Sequence, residues 1–67
     1  MSLSEKLALL LKHWIDHNNS HKETYLSWAD KATDDNIKEI ADFLRQTADL
    51  SVRITDNLEK ALKSLNK

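Results

Sequence analysis

Sixty-seven residues without a cysteine, glycine or proline make one domain. They exclude a disulfide framework, thiolate metal sites and the glycine-dependent hairpins of a small sheet protein. Ten basic residues against eleven acidic ones give a net charge of −1, which excludes the broad basic field that gathers nucleic-acid phosphates. A chain this short buries little of its surface and needs a metal, a partner chain or very good helix packing. Abundant Ala, Leu, Lys, Glu and Asp with no breaker residues point to an all-α protein built from long helices.

The N-terminal Met-Ser-Leu-Ser-Glu lacks a basic signal region, and Leu7–Leu11 is too short to cross a bilayer. A cytoplasmic protein with no membrane and no nucleic-acid partner is expected. Ser2 and Glu5 form an S-x-x-E capping box that starts helix one near Leu3. Leu3, Leu7, Leu10, Trp14, His17, His21, Thr24 and Trp28 then follow an unbroken 4-3 spacing, and Leu11, Tyr25, Ala29 and Ala32 fall on the same side. Asn18, Asn19 and Ser20 are poor helix formers, and Ser20 with Glu23 repeats the capping pattern. The apolar phase is the same on both sides of His17, so one continuous helix is predicted, from about 3 to 32. The sequon Asn18-Asn19-Ser20 is read as accidental.

Thr33-Asp34-Asp35-Asn36 is the strongest turn cluster, and Thr33 or Asp34 is the expected N-cap of helix two. Ile37, Ile40, Leu44, Thr47, Ser51, Ile54, Leu58, Ala61 and Leu65 repeat with the same 4-3 spacing. Helix two is therefore placed at about 35–66 after a turn at 33–36, within a single domain 1–67. Lys60, Lys63 and Lys67 suit its negative end, and Asp49/Arg53, Asp56/Lys60 and Glu59/Lys63 are i,i+4 pairs of favourable orientation. A short connection makes the helices antiparallel. Folding about Thr33 and Asp34 sets His17 and His21 level with Gln46, Thr47, Leu50 and Ser51, a polar His/Thr/Ser layer inside the hairpin. Phe43, Leu50, Ala8, Ile15 and Leu26 lie beside the two stripes. They call for a homodimer of hairpins, a four-helix bundle, or for another helical protein as the partner.

His13, His17 and His21 stand at i, i+4 and i+8 on one strip of helix one. Imidazoles one turn apart can chelate one ion. These three are the candidate metal ligands, for zinc or nickel, completed by Asp16, Gln46, Thr47 or a symmetry-related histidine. The alternative is a metal-free interaction module in which the same rings only fix register. The Glu-x-x-His signature of di-iron bundles is absent, since Leu10, Trp14 and Asn18 precede each histidine by three. No paired acid, base or nucleophile is legible, so an enzyme is not expected.

The run Leu10-Leu11-Lys12-His13-Trp14-Ile15-Asp16-His17-Asn18, followed by His21, Tyr25, Trp28 and Ala29, resembles a short prokaryotic helical-hairpin domain of unknown function. Its pattern is H-W-x-x-H-N-x-x-H, and the histidines of that pattern imply a transition-metal association. In architecture the chain is also similar to small RNA-binding hairpin dimers of the plasmid copy-number regulator kind. Its charge balance argues against sharing their function.

Overall fold

The computed structural model describes residues 1–65. Lys67, assigned to the negative end of helix two, lies outside the described residues, as does the expected helix end near 66. Two helices, α1 (Leu3–Asp34) and α2 (Lys38–Leu65), pack antiparallel into a rod with Cα extents of 51 × 16 × 11 Å. Helix α1 starts on the Ser2–Glu5 capping box: the Glu5 amide donates to Ser2 Oγ at 3.1 Å and the Ser2 amide to Glu5 Oε1 at 3.2 Å. It continues without interruption through Asn18-Asn19-Ser20.

The turn comes later in the chain than the Thr33-Asp34 cluster suggested. Thr33 and Asp34 belong to the last turn of α1, and Asp35 is its C-cap. The Asn36 amide donates to the Thr33 carbonyl at 3.1 Å and the Ile37 amide to the Ala32 carbonyl at 2.8 Å. These two bonds are a Schellman ending, which needs a left-handed residue between them. With no glycine in the chain, Asn36 takes that place at φ 62°. Ile37 then packs beside Ala32, the apolar contact that accompanies this motif.

The pivot at Asn36 moves the pairing of the helices. Asn18 bonds to Ser51 and Thr55, and Leu7 and Leu11 share a groove with Ala61 and Leu65. Opposed residue numbers therefore sum to about 72, where folding about Thr33 and Asp34 had given 67.

The seam itself is made of small side chains. Ala29, Ala41, Ala48, Ser51 and Thr55 are buried, with Leu11 as the one large buried residue among the described residues, and Ala29 is 0% exposed. Residues 41, 44, 48, 51, 55, 58, 62 and 65 carry the seam of α2 as buried or half-buried positions. The 4-3 repeat is real, but its inward phase differs from the Ile37–Ile40–Ile54 phase read from side-chain size. Close backbones joined by alanines leave no room for the large residues. Those residues sit beside the seam, and among the described residues no large side chain is fully buried.

Near the turn, Arg45 donates to Thr33 Oγ1 at 2.9 Å and pairs with Asp30 at 3.5 Å. The i,i+4 pairs of α2 do not close within ion-pair distance among the described residues. No described helix is long and apolar enough to cross a membrane.

Candidate functional site

Where the sequence suggested that histidines face helix two, the asparagines do so. Asn18 Nδ2 donates to the Ser51 carbonyl at 2.6 Å and to Thr55 Oγ1 at 2.8 Å. Thr55 in turn donates its hydroxyl to Asn19 Oδ1 at 3.2 Å. Among the described residues no fully buried side-chain polar atom is left without a partner. The polar layer inside the hairpin is thus Asn/Ser/Thr. The expected contact of His17 and His21 with Ser51 is corrected: α1 turns the row of Leu11, Asn18 and Ala29 towards the small residues of α2, which leaves His17 and His21 outside the seam. The signal that could have found these residues was the cost of two asparagines in a long helix, which calls for a compensating tertiary bond.

His13, His17 and His21 are all exposed on α1. The structure brings His17 and His21 together, Nε2 to Nε2 at 2.9 Å, with rings nearly perpendicular at 88° and centroids 4.4 Å apart. That contact requires a proton on one Nε2 and a bare lone pair on the other. His13 stacks on His17 at 6.0 Å and Tyr25 on His21 at 6.1 Å, so four rings climb one side of the helix. Asp16 does not join them: among the described residues no group of three His, Asp or Glu side chains stands close enough to hold an ion. Thr47 gives its hydroxyl to the Phe43 carbonyl of its own helix at 2.8 Å, and Gln46 lines a separate groove with Asp49, Leu50 and Arg53. One chain therefore brings two imidazole nitrogens together, those of His17 and His21.

The ladder is set in an apolar surface. At 100° per residue, His17 and His21 share an arc of α1 with Leu10, Trp14 and Trp28. The exposed Ile40, Phe43, Leu50 and Ile54 of α2 lie on the same side of the seam. A groove between the helices lined by Trp28, Ala32, Ile37, Ile40 and Leu44 joins the two sets at the turn end, and one lined by Leu7, Leu11, Ala61 and Leu65 joins them at the other. Lys31 caps the turn end with its Nζ 4.0 Å from the Trp28 ring centroid, a cation–π contact. On the opposite side a groove is lined by Thr33, Lys38, Ala41, Asp42 and Arg45, and Leu26 and Val52 are exposed farther along.

Residues 7–65 match the model of a family described as Domain of unknown function (DUF8180). The chain belongs to this family. An "Uncharacterized protein" of Archaeoglobus fulgidus is 34% identical to it over 58 residues, which cover 87% of this chain and 92% of the relative. No solved structure matches this DUF8180 chain. The family likeness spans both helices from Leu7 onward and the Asn36 turn.

Proposed function

We propose that the chain is a self-associating helical module in which a second copy covers the apolar face, giving a four-helix bundle. The observation behind this reading is the distribution of side chains: small residues fill the seam, while Trp28 and Phe43 remain 57% and 59% exposed on one side. The molecule exposes 5253 Å², against about 4,400 Å² for a compact monomer of this mass. The excess is roughly the 800 Å² that each partner buries in a standard interface. Each Leu, Ile or Phe withdrawn from water contributes about 1.5–3 kcal/mol. A face with this many of them offsets the association cost of about 4–15 kcal/mol. A net charge of −1 adds little repulsion between two copies.

Sedimentation at micromolar concentration tests the reading, with the expectation of a dimer. Trp14 and Trp28 both lie on the face, so their emission is expected to shift to the red on dilution to the monomer. A Phe43→Glu variant should sediment as a monomer while keeping its helical circular dichroism. A parent chain that is monomeric, with solvent-exposed tryptophan emission at every concentration, would sink the proposal and favour a different helical protein as the occupant.

The 2.9 Å approach of His17 and His21 supports a second element of this reading: the pair takes a transition metal, zinc or nickel, and His13 stands outside the chelate as a stacked neighbour. The reading assigns the module no catalytic step.

A further inference from the structure

We infer that the His17 and His21 pairs of two chains meet at the centre of the dimer and together hold one transition-metal ion with four imidazoles. This rests on the self-association reading and names what that assembly binds.

One chain supplies two Nε2 atoms 2.9 Å apart, and no third His, Asp or Glu joins them among the described residues. A closed zinc site takes four protein ligands, so half of the set must come from elsewhere. The position of the pair says from where. Residues 17 and 21 straddle the middle of α1, which runs from Leu3 to Asp34, and they sit on its apolar side. Two equal rods that overlap fully and obey two-fold symmetry are related by an axis that passes through mid-length or along the rods. In the first case a residue at mid-length meets its own copy, as an isologous interface requires. In the second the two pairs stay at one height and approach across the bundle core. Both arrangements bring imidazole to imidazole.

Chemistry argues the same way. The neighbouring positions on α2 at this height are Leu50 and Ile54, which offer no hydrogen bond, and the Thr47 hydroxyl is already committed to Phe43. Covering the face would leave the two Nε2 atoms joined only by a single shared proton. A metal ion replaces that one bridge with a bond to each ring. At metal–nitrogen bonds of about 2.0–2.1 Å, nitrogens separated by the distance seen here subtend roughly a right angle, the cis angle of a square-planar or octahedral site. A tetrahedral ion needs a separation nearer 3.3 Å, which a modest ring rotation supplies.

The test loads the full chain with Zn²⁺ or Ni²⁺, removes excess by dialysis, and measures metal per chain beside sedimentation mass. One ion per two chains is expected, with a raised Tm and, for Ni²⁺, quenching of Trp14, which lies one turn from His17. A His17→Ala/His21→Ala variant should stay dimeric and lose the ion. Phe43→Glu, or Leu50→Glu should the first fail to fold, should lose both dimer and ion with its histidines intact. One ion per single chain, kept by the monomeric variant, would overturn the shared site. A parent dimer that takes up neither metal would overturn it too and leave self-association standing. A parent that remains monomeric with metal present would remove both.

Discussion

Asn36 carries the turn because its short amide side chain tolerates the left-handed region better than any other residue in a chain without glycine. Replacement by glycine removes the residual Cβ strain, so Asn36→Gly should leave Tm unchanged or raise it by a few degrees. Asn36→Val forces a β-branched residue to positive φ and should cost about 1–2 kcal/mol, read as a fall in Tm of several degrees. Asn18 makes a different kind of contribution. Its amide ties α1 to a backbone carbonyl and to the Thr55 hydroxyl. Asn18→Ala leaves these groups half-buried and short of a donor, at a cost of about 1–3 kcal/mol in thermal or urea unfolding. Ser20, whose side chain makes no bond across the hairpin, should tolerate alanine with no loss. An equal loss at both positions would remove the Asn/Ser/Thr clamp from the account.

At the scale of the helices, the seam decides which residues become surface. Ala29, Ala41 and Ala48 let the backbones approach closely, and the large residues on either side are turned outward as a consequence. Ala48→Leu should therefore force the helices apart, costing about 1–3 kcal/mol by overpacking. A similar enlargement at an exposed site away from the seam and its grooves, Ser27→Leu, should change little. Urea denaturation of the two variants checks the contrast. A neutral Ala48→Leu would mean that the helices pack on larger neighbours. Of the two capping devices, the Ser2/Glu5 box was readable in sequence because its spacing is local. The Schellman ending was hidden because Asp34, Asp35 and Asn36 are all turn formers, and only the bonds to Ala32 and Thr33 distinguish them.

The whole molecule is an elongated rod, with a Cα radius of gyration of 15.4 Å against about 11 Å for a compact chain of this length. Two helices have no interior large enough for the aromatic and branched residues present, and the proposed self-association would tie stability to assembly. The consequence is a melting temperature that rises with protein concentration, since anything that binds the folded state alone stabilises it by mass action. Calorimetry over a hundredfold range of concentration should show that rise in the parent chain and its absence in Phe43→Glu. A concentration-independent Tm in the parent would mean that the hairpin stands on its small seam alone.

Read by itself, the sequence determined the all-α class, two long helices, the N-cap and a 4-3 repeat, because each depends on neighbours within one or two turns. It also showed that apolar residues exceed what one hairpin can hide. Only the tertiary structure decided which phase of the repeat faces inward. The pivot at Asn36 sets which residues stand opposite one another, and the inward phase places Asn18 at the seam where His17 was expected. Size alone favoured Leu, Trp and Ile as the inner row. Close packing of two backbones instead selected alanine, serine and threonine, leaving the histidines and tryptophans on the outer face.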